Sequence, residues 1–530
     1  MTVPTFVRKA TGLVRGFSAF DMLAFNVFAI TLGMVVALGP FTTEILYPGS
    51  DFGVATIFAT IVVIINGFLY MVLSIAMPRS GGDYVYVSHT LHPALGFMVG
   101  GGFVIGIFYW IALTSVWCVQ SISFLYLGIG LGTGNAGLMQ TGSVLINPMN
   151  LFIGGTIAVI FAGLFIILGT RFLRKFFIAM FVVGMAGSVS LLLLLLGGSH
   201  LQFVQNFNVL MQPYTGLSDT YSGILTSAKD AGFSIAAPSL LMSFMALPYA
   251  EWTYLGFQYS VYMGGEIKTP TRSQPIAIFG GLLVDFIIVY GTAVAFVNVA
   301  GRNFVASMAF LGGTFKGLPI PNLVNSYIPF MTNNVYLIGL IGISLFAWSF
   351  MVLLTGFMAA TRILFGFAFN RVASEAMASV SRRFRSPWVA TIFMAIGGIV
   401  FLGVTAFTPF SQFILNYIVI FLVVYFIGGL VPIALPYTKR ELFEASPNIV
   451  KKRIAGIPLM VILGILNLFF FGFMIYSSLV NPSYYGITYL VVLFDVVCFI
   501  IPLIIYYVAK AYRMRQGMNI DLLWKEIPPE

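Results

Sequence analysis

Long apolar runs alternate with short polar stretches along the whole 530-residue chain. Twelve runs predict membrane-spanning helices, over roughly 17–40, 53–77, 94–127, 150–169, 173–197, 234–262, 274–299, 333–366, 387–407, 409–436, 457–480 and 484–511. Several exceed the ~20 residues a bilayer requires, so they tilt or project beyond it. None shows the ~10-residue alternation of a transmembrane barrel. Two stretches between runs, 198–233 and 300–332, read as long loops on one side of the membrane.

Two of the runs are interrupted. The first contains NVFAITLGMVVALGP (26–40), where Asn26, Thr31 and Gly33 precede Pro40. The sixth contains PYAEWTYLGFQYSVYMGGEIKTPTR (248–272), with a carboxylate at Glu251 and glycines at 256, 264 and 265. A break in a membrane helix frees backbone groups that lipid cannot satisfy, so it is tolerated only inside protein or against a watery cavity. Paired breaks five spans apart point to a transporter built from inverted repeats. On that reading the chain divides into a tail (1–16), a core of two five-helix repeats (17–436, with halves 17–197 and 234–436 joined by an external loop 198–233), two further helices (437–511) and a second tail (512–530). Gly33 and Gly256 fit such a site. Gly96 and Gly100, in GFMVG, read instead as small residues that allow close helix packing.

Composition agrees with the class. Hydrophobic residues make up 59% of the chain and charged residues 8%, where a soluble domain carries about 25%. The net charge of +10 is not a nucleic-acid signature, because the basic residues lie in short connections between apolar runs. With the N-terminus inside, 23 of the 26 basic residues are cytoplasmic, and only Lys229, Arg302 and Lys316 are outside. Both termini are therefore expected in the cytoplasm. The first 16 residues lack the pattern of a cleavable signal peptide. Cys118 and Cys498 both lie within apolar runs, which argues against a disulfide framework.

Three segments carry a family resemblance. PRSGGDYVYVSHTLHPALGFMVGG (78–101), YLGFQYSVYMGGEIKTPTRSQPIAI (254–278) and ATRILFGFAFNRVASEAMASVSRRFRSPWVATI (360–392) resemble, in order and spacing, the 2–3 loop, helix 6 with its exit, and the 8–9 region of the amino acid–polyamine–organocation (APC) transporter superfamily. The likeness covers residues 15–436 and, more weakly, the terminal KEIPPE. It implies an all-α membrane protein of twelve transmembrane helices, with a LeuT-like five-plus-five inverted repeat plus two additional helices. It further implies a secondary transporter of amino acids in the cell membrane, working by alternating access. The family's first-helix break reads Gly-Ser-Gly-Ile-Phe, and the matching residues here are Thr31, Leu32, Gly33, Met34 and Val35, so only the second glycine is kept. The resemblance assigns substrate binding to Ala29, Ile30, Thr31, Leu32 and Gly33, whose amides would meet a carboxylate. It likewise assigns Trp252, Thr253, Tyr254, Leu255 and Gly256, whose carbonyls would meet an ammonium. Where many members carry an acid after Gly-Phe, this chain has Gln258.

Charges inside apolar runs are functional candidates by default. Glu251, just before the second break, is a candidate cation contact, proton carrier or gate. Asp285 reads as an acid facing another helix, Asp495 as structural and Asp21 as an interface residue. Glu266 and Lys268, with Arg79 and Asp83, are candidates for an inner charged gate. Coupling stays open between a proton and sodium. A sodium site would draw hydroxyls from Ser344, Ser349 and Thr355, while Met180 stands where some proton-coupled relatives carry a lysine and the nearby Lys175 reads as a loop residue. His89, His92 and His200 lack the companions of a metal site, and no Walker loop or nucleophile–base set is present, so no cofactor and no catalytic activity are expected. A polyamine or other organic cation is the alternative substrate; it would lean on Glu251. A receptor or a channel is the more distant alternative. The expected partners are a small-molecule substrate and the lipid bilayer, with no nucleic acid.

Overall fold

A computed structural model describes residues 15–312, 314–315, 317–409, 414–481 and 489–524. Lys316, the terminal KEIPPE and the basic residues Arg8 and Lys9, counted above among the cytoplasmic charges, lie outside them. The first run forms two helices, α1 (Ala19–Ala29) and α2 (Leu32–Leu46), followed by α3 (Phe52–Ala76), a short α4 (Asp83–Thr90) and the long α5 (Pro93–Thr133). Then come α6 (Ala136–Leu145), α7 (Pro148–Ile167), α8 (Thr170–Leu196), α9 (His200–Thr215), α10 (Thr220–Asp230), α11 (Leu240–Met245) and α12 (Leu247–Glu251). The second half holds α13 (Pro270–Ala300), α14 (Arg302–Leu311), α15 (Val335–Phe369), α16 (Trp388–Phe407), α17 (Ile414–Gly428), α18 (Leu430–Thr438), α19 (Arg440–Ala445), α20 (Leu459–Val480) and α21 (Tyr489–Arg515). A small hairpin pairs Arg453–Ile454 with Ile457–Pro458.

Eleven helical segments among the described residues are long and apolar enough to cross a membrane. Of the twelve runs, 234–262 is the one without a long helix. It folds as α11, α12 and short 3-10 turns over Trp252–Tyr254 and Tyr259–Tyr262. Helix α5, at 41 residues, is about 60 Å long at 1.5 Å per residue, twice the hydrocarbon thickness, so it projects well beyond the bilayer.

Burial separates the inner helices from the belt. The most apolar windows of α1–α2 and α5 are each 89% buried, whereas those of α8 and α21 are 28% buried. The lipid-facing helices present Ile157, Phe161, Val182, Leu193, Ile396 and Ile504 outward. In water such a surface would aggregate; facing acyl chains it carries no penalty. At the centre, α15 packs along α5 and α8.

The segments read as long loops are folded. Within 198–233 and 300–332 lie α9, α10, α14 and a 3-10 turn at Val324–Phe330. Phe203, Phe207 and Met211 repeat every four residues and bury one face of α9. Phe203 and Phe207 meet Phe304, Tyr327 and Phe330 at ring-centroid distances of 4.8–6.4 Å. These helices are amphipathic rather than uniformly apolar, so a search for membrane runs passes over them. Gly96 and Gly100 pack as expected: an added Cβ would press on Ser88 and Tyr84 of α4.

Candidate functional site

The first interruption falls at Ile30–Thr31. Ile30 closes α1 by donating its N–H to the Asn26 carbonyl at 3.1 Å. Thr31 then takes a left-handed backbone (φ 62°, ψ 21°) and its carbonyl accepts from Met34 and Val35 to start α2. The amides of Leu32 and Gly33 are thus at the head of a helix, with no intrahelical acceptor. Thr31 stands where the family carries its first glycine, and it adopts the conformation a glycine would supply. A β-branched residue there is strained, and such strain gathers at functional sites.

The second interruption begins where α12 ends at Glu251. Single-turn bonds follow: Leu255 N–H to the Trp252 carbonyl (3.2 Å), Phe257 to Tyr254 (3.0 Å) and Tyr259 to Gly256 (2.9 Å). Among the described residues, the carbonyls of Thr253 and Leu255 accept no backbone hydrogen bond. Gly256 has φ 97°, and a Cβ there would collide with the Ala29 carbonyl oxygen. Only a glycine allows this approach, and it sets the two breaks back to back.

Side chains lock the pair. Asn26 donates to the Ser260 hydroxyl (3.0 Å) and accepts from the Ser260 amide (2.8 Å), while Ser260 donates to Gln274 on α13 (2.7 Å). Gln258 accepts from Tyr425 on α17 (2.9 Å). Tyr254 and Thr60 on α3 share a hydroxyl contact of 2.5 Å, and Trp252 packs on Tyr249 and on Trp117 of α5. Gly33 faces Trp348 of α15, whose indole N–H bonds Ser188 on α8 at 2.9 Å. The residues from Ala29 to Gly33 and from Trp252 to Gly256 are all buried.

The charged candidates separate. Glu251 and Asp285 are fully buried, and neither carboxylate has a hydrogen-bond partner among the described residues. Glu266 pairs with Arg362 of α15 (Nε–Oε1 2.9 Å), both within 2% of full burial. Lys268 is exposed and contributes its amide to the Phe17 carbonyl (3.2 Å). Asp83 is buried and accepts from Tyr70 of α3 (2.5 Å) and from Tyr262. Burial pushes the Asp83 carboxyl up to about 6, and the two phenol donors hold it back from going higher. Glu266 and Asp83 therefore have partners other than those the sequence pairing supplied. Asp21 caps α1 in a box with Ser18 and pairs with Arg174 of α8 at 2.8 Å.

The hydroxyls considered for sodium do not converge. Ser344 lies against Gly187 on α8, Ser349 meets Ser121 of α5 at 2.9 Å, and Thr355 donates to its own helix at Met351. Lys175 is exposed on the second turn of α8 rather than in a loop, and no cluster of metal-ligating side chains occurs among the described residues.

Sequence reasoning missed several contacts. Arg362 counted only as an inner-side charge; its position inside an apolar run was the available signal. The Glu44–Arg302 pair (3.0 Å), which ties α2 to α14 beside a cavity of about 90 Å³, was not anticipated because α2 runs six residues past the expected end of the first span.

The family model of the amino acid permeases matches residues 24–509, and the chain belongs to that family. It is a multi-pass membrane transporter of amino acids or related organic compounds rather than an enzyme.

Proposed function

We propose that the protein is a secondary active transporter of α-amino acids, and that the substrate binds between the two breaks. The observation that carries this is the abutment of Gly256 on the Ala29 carbonyl, which joins two helix interruptions inside a buried core. Amides at the head of α2 without an intrahelical acceptor suit a carboxylate, and the carbonyls of Thr253 and Leu255, which accept no backbone hydrogen bond among the described residues, suit an ammonium. A zwitterion uses both. The five-span spacing of the breaks supports the LeuT-like arrangement of two inverted repeats, with alternating access by rocking one helix group against another. The bias of basic residues supports both termini inside.

Coupling is assigned to protons, with Glu251 as carrier. That rests on its burial without a partner beside the second break, and on the divergence of Ser344, Ser349 and Thr355. The same acid supports a second reading, in which a cationic amine is the substrate and Glu251 its counter-charge.

Uptake into proteoliposomes of labelled amino acids and polyamines, under imposed proton or sodium gradients, tests these readings. Saturable amino acid uptake driven by a proton gradient is expected. Uptake restricted to polyamines would favour the second reading, and a sodium requirement would remove the proton assignment. Glu251→Gln should flatten the pH dependence of uptake.

A further inference from the structure

On the face where the basic residues gather, α7 turns into α8 through Leu168 and Gly169. The segment Ser381–Ser386, which leads into α16, is docked onto this turn. Ser386 donates its hydroxyl to the Ile167 carbonyl at 2.7 Å. Gly169, at φ 80°, lies so close to the Phe384 carbonyl oxygen that any Cβ would overlap it. The segment closes on itself: the Ser381 amide donates to the Ser386 carbonyl and the Arg385 amide to the Ser381 carbonyl, both at 2.9 Å. Arg385 holds a left-handed backbone (φ 57°).

Between turn and segment lies a cavity of about 770 Å³ flanked by Arg171, Arg382, Arg383 and Arg385. Among the described residues no acid lines it, and none of the four arginines makes an ion pair. Nearby arginines do find partners: Arg174 takes Asp21 and Arg362 takes Glu266. All four arginines are exposed, and Arg383 also stacks on the Phe384 ring at 5.2 Å, so the four charges gather around one solvent-open mouth and give it a positive potential that attracts an anion.

The remaining surroundings describe the rest of that ligand. Phe172 and Phe384 line the cavity. Directly along the same helices the surface is apolar and exposed, with Phe161 and Leu164 on α7, Ile178 and Val182 on α8, and Ile392 and Phe393 on α16. Trp388, also exposed, is the first residue of α16, a helix-end position where an indole suits a membrane interface. A charged pocket opening onto an acyl-chain surface matches an amphiphile with an anionic head.

We propose that this cavity binds the phosphate headgroup of an anionic membrane phospholipid, whose acyl chains lie along α7, α8 and α16. The site is separate from the broken helices and does not depend on which substrate is moved. Bidentate guanidinium–phosphate contacts account for the exclusive use of arginine.

The test is competitive lipid retention by the purified full chain, comparing phosphatidylglycerol with phosphatidylcholine in mixed vesicles. Wild type should retain phosphatidylglycerol preferentially. At ~1 kcal/mol per basic residue, Arg171→Gln should lower that preference about five-fold, and Arg382→Gln with Arg383→Gln about thirty-fold. A control with Lys451→Gln and Lys452→Gln, which neutralises two charges elsewhere on the same face, should change it less than two-fold. Melting in phosphatidylcholine alone reports whether each variant is folded, and Arg171→Gln, a surface change, carries the test should the double variant unfold. Equal losses in control and site variants would overturn the proposal in favour of diffuse surface charge. Protection by inorganic phosphate at the same concentration as the lipid would overturn the headgroup assignment.

Discussion

At Thr31 a single residue reveals how the first break is made. The family places glycine where this chain has threonine, yet the backbone is left-handed all the same. The surroundings impose it: Asn26 is tied to Ser260, and Gly33 is wedged on Trp348. Thr31→Gly should therefore keep the break and stabilise the fold by up to ~1 kcal/mol, since relief of left-handed strain outweighs the extra chain entropy of glycine. A rise in the thermal midpoint checks this, and a fall would mean that Thr31 is unstrained. Arg362 gives a second residue-scale test. Arg362→Gln leaves Glu266 buried without its counter-charge and should cost ~3–5 kcal/mol, whereas adding Glu266→Gln should recover much of that loss. A double-mutant cycle on thermal stability reads the difference.

At the scale of elements, legibility divides by physical cause. Runs of apolar residues announce themselves, so the long helices could be read to within a few residues at most ends. Gly96 could be read too as a point of close packing, because nothing else fits there, whereas the approach of Gly256 to the Ala29 carbonyl was not part of its reading as a site residue. Amphipathic α9, α10 and α14 could not, since their stability comes from facing aromatic rings that only the folded chain assembles. Partner choice was likewise hidden: Glu266 bonds a residue 96 positions away, and Asp83 bonds tyrosines from two other elements. The short α4 is held at its first residue by that acid. Its folded-state carboxyl titrates near 6, above the ordinary value of 3.8, so burial disfavours the ionised form. The sign follows: stability from this group is full below about pH 4 and is lost as pH rises through about 6. Wild type should lose thermal stability over that window relative to Asp83→Asn, which lacks the titration. Parallel curves for the two proteins would contradict the assignment.

Over the whole molecule, the two interrupted elements touch where Gly256 abuts the Ala29 carbonyl. The tie between Glu44 and Arg302 and the tie between Glu266 and Arg362 are both formed, and the break residues are buried. In the proposed cycle, a substrate reaches the breaks only when one of these ties opens. The most direct measurement is equilibrium binding of labelled amino acids to the purified protein and to Gly256→Ala, with circular dichroism and melting to confirm the fold. The added methyl meets the Ala29 carbonyl and a backbone conformation that only glycine tolerates at low cost. Saturable binding by the wild type, weakened about ten-fold or more in folded Gly256→Ala, is the predicted result. Unchanged affinity in that variant, or no saturable binding of any amino acid by the wild type, would contradict the placement of the site between the two breaks.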